Sequence, residues 1–304
     1  MSVSRFLGPF FLSLSLFACS GKDTASARTR EVANALGPGV APRPAVVTAS
    51  GTPYKAIAVG NGGTINGTVD FDGDMPLDTV IQPTVDQKVC GTSIIEQRVA
   101  RSGTRVGGVL VWLTDIRTGK PVPLEKRFEL TNEHCTLDPH VQAIYTTSTL
   151  NVGTEDRTMH TNKFINVATG QLVALAPFND DGEVVPYDRT FTETAQIEVT
   201  CEQHPWTRAY IAVLDHPYFA KTAAAGSFSL DGVPPGTYRV RAWHPSLGLV
   251  DDSVTVAAGQ QVALGLRIRG KNAPAAAAPV VAPVDSAVDS MTTPLTGSST
   301  PARL

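Results

Sequence analysis

Short runs of alternating apolar and polar residues, separated by glycine and proline, constrain the fold of this chain most. Residues 64–71 place Ile65, Val69 and Phe71 on one face of such a run. Further strand-like segments are 108–113, 127–130, 195–199, 209–214, 226–230, 238–243, 253–256 and 262–268. No stretch has convincing helical periodicity, and the best place for a short helix or irregular loop is 162–178. Short strands with frequent turn signals are typical of a sandwich or barrel, so we predict an all-β fold.

The N-terminus has the pattern of an export signal. A positive charge at Arg5 precedes an apolar run over 6–17, which is too short to span a bilayer. Cys19 follows Ala18, and this order resembles the lipobox of bacterial lipoproteins, in which residues 1–18 are removed and the cysteine is diacylated. Because two acyl chains anchor a protein stably, the resemblance implies a lipid-anchored protein of the cell envelope, periplasmic or at the outer membrane. A soluble secreted protein with an incidental cysteine is the alternative.

Composition divides the remaining chain. Residues 19–59 and 271–304 are rich in Ala, Pro, Ser and Thr, and they contain few large apolar side chains. Such segments cannot bury enough apolar surface to fold, so we interpret the first as a flexible tether and the second as a disordered tail. Between them we predict one domain over 60–216 and a small β unit over 217–270, which has little core of its own.

Three residues have the pattern of a metal site. Cys201 and His204 are separated by two residues, and His160 lies well before them in the chain. Two imidazoles and one thiolate are the equatorial ligands of a blue-copper centre. Cys201 and His204 fall in a loop between two strand-like segments, where a β-sandwich can fix them before a metal arrives. The sequence therefore predicts a copper site formed by these three side chains.

A set of motifs extends this pattern over about 62–268. The motifs are Gly63–Val69, Val89–Gly91, Val109–Leu113, Cys135–Val141, Asp156 with His160, Cys201–Trp206, Asp215–Ala220, Val233–Tyr238 and Ala242–His244. On them the chain resembles bacterial plastocyanin-like proteins (cupredoxins) that carry a C-terminal carboxypeptidase regulatory-like segment, a carbohydrate-binding-like fold. The resemblance implies a cupredoxin-like Greek-key sandwich followed by a small transthyretin-like β unit. It places the copper ligands on His160, Cys201 and His204, and the axial methionine of the family at Thr207.

Two positions depart from the family pattern. Thr207 is too short to reach a metal as methionine does, and its hydroxyl is a poor ligand for Cu(I). Thr161 stands where the family often has an asparagine that holds the cysteine loop, and such losses typically cost about 10–100-fold in metal affinity. The resemblance also implies that His204 is the exposed imidazole through which electrons leave, whereas His160 is buried.

Two cysteines remain once Cys19 is assigned to lipid and Cys201 to the metal. In an oxidising compartment pairing is the default, so we predict a disulfide between Cys90 and Cys135. Closing this loop would contribute about 2–4 kcal/mol to stability. Two separate free thiols are the alternative.

The other histidines are expected to have structural roles. We predict that His140 is structural and that His134 faces solvent. His216 and His244 are expected to make hydrogen bonds between the two predicted units, with a second metal site as the alternative.

The leading functional hypothesis is an anchored electron-transfer protein that binds copper and exchanges electrons with a redox protein. The alternative is a metal-free module that binds carbohydrate or protein, with Trp206, Trp243, Tyr218 and Phe219 as contacts unless they pack in the core. An enzyme would need a base and an oxyanion site beside Cys201, and no such motif is found, so we expect no enzymatic activity. Zinc in the same ligand set is a further alternative. The formal net charge of −3, without a basic stripe, gives no reason to expect nucleic-acid binding.

Overall fold

The computed structural model describes residues 52–96 and 99–270. The expected signal peptide, the expected lipidation site at Cys19, residues 19–51 of the expected tether and the tail over 271–304 lie outside these residues. Residues 52–59 were also predicted as flexible tether, but they include a short strand, Lys55–Ala56, that pairs with residues 118–119. Within the two described ranges, no helix has the length and apolar character needed to cross a membrane.

Nearly all regular structure is β-strand, which confirms the predicted all-β fold. In the described ranges the exception is a four-residue helix, α1 (Gln87–Cys90). Each strand-like segment of the sequence overlaps an observed strand. The strands are β1 (Lys55–Ala56), β2 (Gly63–Asp72), β3 (Thr79–Ile81), β4 (Ile94–Glu96), β5 (Arg101–Ser102), β6 (Arg105–Val106), β7 (Leu110–Leu113), β8 (Thr118–Gly119), β9 (Arg127–Glu133), β10 (Thr136–Asp138), β11 (Val141–Tyr145), β12 (Thr149–Thr154), β13 (His160–Asn166), β14 (Leu172–Phe178), β15 (Val184–Asp188), β16 (Ala195–Cys201), β17 (Arg208–Leu214), β18 (Phe219–Lys221), β19 (Ser227–Val233), β20 (Gly236–His244), β21 (Gly248–Val256) and β22 (Gln261–Arg269).

The larger sheets pack as two β-sandwiches. The site sandwich, residues 127–214, packs the sheet β10-β9-β12-β15 on the sheet β11-β17-β16-β13-β14, around a core that includes Phe164 and Ile197. The framework sandwich, residues 63–113 and 219–269, packs β18-β7-β20-β21 on a sheet formed by β19, β2, β6, β5 and β22. Alternating apolar residues from both sheets fill each core, as the period of two requires.

The boundary predicted between residues 216 and 217 does not follow the sheets. β2 pairs in parallel with β22 and antiparallel with β19, and β7 lies between β18 and β20. Alternation identifies which face of a strand is buried and not which strand lies beside it, so the sequence placed β2 and β7 in the wrong unit. The segment 217–270 therefore completes the framework sandwich, and the site sandwich is inserted between its two parts.

An apolar cluster joins the two sandwiches. It comprises Leu110, Trp112 and Trp243 of the framework sandwich with Val141, Ala143, Ala212 and Leu214 of the site sandwich. Trp243 is only 6% exposed, although its alternation with the inward residues Val240 and Ala242 predicts a side chain that points away from the core of its own sandwich into solvent. The prediction was wrong because the site sandwich covers this face of the strand.

Residues 162–178 belong to a β-hairpin and not to the predicted helix or irregular loop. β13 pairs with β14, and in the turn the Asn166 side-chain oxygen accepts hydrogen bonds from the backbone N–H groups of Ala168 and Thr169. Gly170, at φ 71°, supplies the left-handed residue of the turn. Consecutive apolar residues in β14 obscure the alternation that would have predicted a strand.

Tyr218 offers a test of how the framework sandwich is assembled from distant segments. Its hydroxyl accepts a hydrogen bond from the Lys120 backbone N–H at 2.7 Å and donates one to the Gly232 carbonyl at 3.0 Å. The side chain is fully buried. Tyr218→Phe leaves a donor and an acceptor unpaired, so we expect it to lower the free energy of unfolding by about 1–3 kcal/mol. Urea unfolding measures this loss.

Tyr238→Phe is the matched control. The Tyr238 hydroxyl donates to the nearby Pro234 carbonyl at 2.9 Å, so its removal affects a local turn. We expect a smaller loss than for Tyr218→Phe, and equal losses would contradict the role of Tyr218 in joining distant segments.

Candidate metal centre

Two neighbouring strands and one loop bring the predicted ligands together. His160 is the first residue of β13, and Cys201 is the last residue of β16. The two strands are antiparallel and place Asn162 opposite Cys201, so both ligands lie at the same end of the sheet. The chain then turns through His204 before β17 begins.

The three ligand atoms form a nearly equilateral triangle. The Cys201 Sγ atom lies 3.6 Å from the Nδ1 atoms of both His160 and His204, and the two Nδ1 atoms are 3.2 Å apart. A triangle with sides of 3.6, 3.6 and 3.2 Å has a circumradius of about 2.0 Å, so one central point lies about 2.0 Å from all three atoms. Bonds from zinc to imidazole nitrogen and to thiolate sulfur are about 2.0–2.3 Å long. The spacing thus fits a first-row transition metal.

The chemistry of the donors agrees with the spacing. His160 and His204 are 0% exposed, and Cys201 is also buried. Cys201 is the one cysteine outside a disulfide in the described ranges. One thiolate and two imidazoles suit copper or zinc and do not suit Mg²⁺ or Ca²⁺, which prefer oxygen ligands.

A buried carboxylate orients His160. Asp156 Oδ2 accepts a hydrogen bond from His160 Nε2 at 3.0 Å, and this leaves Nδ1 directed at the ligand triangle. The same carboxylate accepts backbone hydrogen bonds from His134 at 2.7 Å and Cys135 at 2.8 Å. A carboxylate that fixes the distal nitrogen of a ligating imidazole is a common outer contact of metal sites.

The protonation of the metal-free ligands is coupled. Burial disfavours the charged imidazolium, but hydrogen bonds to Asp156 and Cys201 outweigh it and raise the pKa of His160 to about 9. Burial likewise opposes the thiolate of Cys201, yet hydrogen bonds from His160 and His204 lower its pKa to about 6. For Asp156, too, burial is outweighed by its hydrogen bonds with His160 and Cys135, which hold its pKa below the usual range. Between pH 6 and 9 the metal-free site therefore contains an imidazolium beside a thiolate.

The expected exposure of His204 is wrong. Its imidazole is fully buried because Asp86 and Trp206 cover it. The Asp86 carboxylate lies 3.2 Å from Nε2, and the Trp206 ring centroid lies 5.3 Å from that of the imidazole. Asp86 is a contact of the candidate centre that the sequence did not reveal, since no local motif connects it with His204.

The cysteine loop is held despite the departure at Thr161. The Gln203 side-chain amide donates a hydrogen bond to Thr161 Oγ1 at 3.1 Å, and its Oε1 atom lies 3.5 Å from Cys201 Sγ. The Glu202 backbone N–H also donates to the Thr161 carbonyl at 3.0 Å. Gln203 and Thr161 together thus tie the loop to β13, a contact that the resemblance assigned to an asparagine.

Thr207 is buried beside this loop. Its hydroxyl donates a hydrogen bond to the Cys135 carbonyl at 2.5 Å, and Trp206 Nε1 donates to the same oxygen at 3.1 Å. An axial contact from Thr207 to a metal stays a prediction.

The predicted disulfide between Cys90 and Cys135 is confirmed, with Cα atoms 5.2 Å apart. It lies next to the candidate centre. Ligand atoms of Cys90, Cys135 and His204 are within 4.8 Å of one another, as are those of Cys135, Asp156 and His160.

The other histidines have contacts that support the fold. His216 and His244 are buried and accept hydrogen bonds from the backbone N–H groups of Tyr218 and Ser246 at 3.2 Å. These bonds close local turns, and hydrogen bonds that link the two predicted units through His244 stay a prediction. His140 contacts the Arg208 carbonyl at 3.0 Å, which agrees with a structural role.

His134 is 79% exposed, as predicted. Of the aromatic residues considered as ligand contacts, Tyr218 and Trp243 are buried in the apolar clusters, and Phe219 is half-buried against the cluster between the sandwiches.

Asn162 is a further residue that the sequence did not single out. It is fully buried opposite Cys201, and its side-chain oxygen and nitrogen have no hydrogen-bond partner in the part of the chain that the structure describes. Such an amide is rare in a protein interior, and this one belongs to the residue paired with Cys201 across the two strands.

One protein-family model matches part of this chain. Residues 192–264, less than half of the chain, match the family model of polysaccharide lyase family 4, domain II. This differs from the carboxypeptidase regulatory-like segment that the sequence motifs implied. Among curated proteins, none matches the chain.

Several solved structures match parts of this chain at low sequence identity. A copper-containing nitrite reductase from Thermus scotoductus is 19% identical, over 34% of this chain and 25% of that chain, with a TM-score of 0.26. A purple cupredoxin from Nitrosopumilus maritimus is 18% identical, over 28% of this chain and 98% of that chain, with a TM-score of 0.24. A reduced amicyanin mutant is 14% identical, over 29% of this chain and 81% of that chain, with a TM-score of 0.25.

Proposed function

We propose that this chain is a copper-binding electron-transfer protein and not an enzyme. The observation that carries the proposal is the triangle formed by His160 Nδ1, Cys201 Sγ and His204 Nδ1, with sides of 3.2–3.6 Å. A copper ion held by one thiolate and two imidazoles alternates between Cu(I) and Cu(II) and so carries one electron. The resemblance to lipoproteins further supports an anchor at Cys19, which would hold the protein on the cell envelope near a redox partner.

The protein prepares the centre in three ways. Asp156 fixes the tautomer and orientation of His160. Gln203 and Thr161 hold the loop that carries Cys201. Complete burial of both imidazoles excludes water, so the ligand atoms keep their spacing when the charge of the centre changes.

Copper titration of the purified chain tests the proposal. We expect one equivalent of Cu(II) to produce an intense visible absorption from thiolate-to-copper charge transfer, and a reductant to bleach it. A titration with Zn²⁺ separates the zinc alternative, because zinc would bind without colour. If no charge-transfer band appears and copper does not remain bound after gel filtration, the proposed function is wrong.

Removing the carboxylate behind His160 should weaken this centre. Asp156→Ala leaves His160 Nε2 and the buried Cys135 N–H without their acceptor. We expect copper affinity to fall about 10–100-fold and the metal-free protein to lose about 1–3 kcal/mol of stability. Competition with a chelator and urea unfolding measure the two effects.

Asp188→Ala serves as the control for Asp156→Ala. Asp188 is an exposed carboxylate of the same sandwich, bonded to the Thr149 hydroxyl. It should change neither copper affinity nor stability by more than about 0.5 kcal/mol. Equal effects of the two variants would refute a specific role of Asp156.

A further inference from the structure

A short segment from the framework part of the chain covers the candidate centre. We call residues 83–90, which end in helix α1, the cover. Its two ends, Pro83 and Cys90, are buried, whereas residues 84–88 are exposed. From the middle of the cover, the Asp86 carboxylate reaches to 3.2 Å from His204 Nε2. The Asp86 side chain is 42% exposed, while the imidazole that it contacts is 0% exposed.

We propose that Asp86 is a positioning residue for His204, and that the Cys90–Cys135 disulfide keeps it in place. This proposal concerns the metal-free protein, and only the copper measurements described below rest on the proposed function. In this arrangement each imidazole of the centre donates its Nε2–H to a carboxylate, His160 to Asp156 and His204 to Asp86. Each Nδ1 is therefore left directed at the ligand triangle.

The backbone of the cover supports this role. Asp86 has φ 51°, in the left-handed region that aspartate tolerates better than most residues. Its carbonyl accepts hydrogen bonds from the backbone N–H groups of Val89 and Cys90, both at 2.9 Å. Asp86 is thus fixed to the first turn of the helix that carries the disulfide.

Cys135 connects the cover with the rest of the centre. Its sulfur is bonded to Cys90, and its backbone N–H donates to Asp156. Its carbonyl accepts the hydrogen bonds of Trp206 and Thr207, which follow His204 in the ligand loop. One residue therefore links the carboxylate partner of His160, the ligand loop and, through one covalent bond, the helix that positions Asp86.

The first test measures the exposure of His204 without any metal. Diethyl pyrocarbonate modifies accessible neutral imidazoles, and peptide mass mapping reports each histidine separately. In the wild-type chain we expect His204 to react much more slowly than His134, which is 79% exposed and serves as an internal reference. Reaction of His204 at the rate of His134 would overturn the proposal.

Two variants of Asp86 separate positioning from folding. Asp86→Gly removes the acceptor and tolerates the positive φ without strain. Asp86→Asn keeps an oxygen that accepts from Nε2–H. We expect His204 to react about tenfold faster in Asp86→Gly, as loss of one hydrogen bond allows, and at nearly the wild-type rate in Asp86→Asn. Asp78→Gly, at an exposed aspartate before the cover, should change nothing.

The double variant Cys90→Ala with Cys135→Ala tests the disulfide without creating a free thiol. It retains the backbone groups of Cys135, so His160 and Asp156 keep their contacts. We expect faster modification of His204 here as well. If neither this variant nor Asp86→Gly changes the rate, the cover does not hold His204 and the proposal is wrong.

Copper binding distinguishes failure of this proposal from failure of the proposed function. Asp86→Gly should weaken copper about 10–100-fold, and Asp86→Asn should restore most of the affinity. The wild-type protein could bind copper while Asp86→Gly changes neither the copper affinity nor the reactivity of His204. This result would refute the role of Asp86 and leave the copper function standing. A second outcome is possible: the wild-type protein does not bind copper, but His204 is protected and Asp86→Gly makes it reactive. This result would refute the copper function and support the role of Asp86.

Discussion

Cys201→Ala should abolish the thiolate-to-copper absorption and strongly lower copper affinity. The affinity should fall by more than roughly 100-fold, which is the upper range for losing a residue that only supports a ligand. Cys201 Sγ is one of three ligand atoms, and it lies 3.6 Å from each of the two ligating nitrogens. Its removal leaves two imidazoles that cannot supply the charge-transfer band. Visible absorption and chelator competition measure the two losses.

Glu202→Ala is the matched control for Cys201→Ala. Glu202 is the neighbouring residue, and its exposed carboxylate forms an ion pair with Lys163 at 3.4 Å. Surface pairs of this kind contribute at most about 1 kcal/mol, so the absorption and the affinity should both be retained. A Cys201→Ala protein with the metal content of the wild type would refute the thiolate ligand.

Copper affinity should rise steeply with pH because the metal displaces a proton from His160. Between the pKa of Cys201 at about 6 and that of His160 at about 9, the metal-free site holds one proton on the imidazole. Binding releases it, so His160 alone should increase the association constant about tenfold for each pH unit. Over this window the gain approaches roughly 1000-fold.

The slope of copper affinity against pH changes in a defined way at the limits of this window. Above about pH 9 His160 is neutral and its contribution levels off, whereas below about pH 6 the thiol of Cys201 adds a second proton and the slope steepens. Competition of Cu(I) with a chromophoric chelator at pH 6.5, 7.5 and 8.5 measures the slope. An affinity that is constant over these three values would contradict the imidazolium–thiolate pair.

Asp156→Asn provides the control for this pH dependence. It removes the negative charge that stabilises the His160 imidazolium, so the upper limit of the pH window should move to lower pH. An unchanged limit would mean that Asp156 does not set the protonation of His160.

The strands and the ligand set could be predicted from the sequence. Alternation locates strands because one face of each is buried, as it is in β2, β19 and β22. The spacing of Cys201 and His204 between two strands, together with the motif resemblance, identified three side chains that the structure brings together. The Cys90–Cys135 disulfide followed from the number of cysteines.

The contacts between distant segments could not be predicted in this way. The parallel pairing of β2 with β22 joins the two ends of the folded part, and alternation contains no information on partners. Asp86 lies 118 residues from His204 on an exposed segment, so nothing near it in the sequence marks it as a contact of a ligand. The burial of His204 was missed for the same reason.

The insertion of one sandwich into the other has a consequence for the order in which the chain is completed during synthesis. β2 and β7 emerge early, but their neighbours in the sheets are made last. These neighbours are β19 and β22 for β2, and β18 and β20 for β7. The site sandwich is complete once β17 ends at Leu214, while the first apolar strands still have exposed edges. Folding from the N-terminus, the usual order for successive domains, is therefore impossible here. The earliest strands need protection from aggregation for longest, until the chain up to residue 269 is available for pairing.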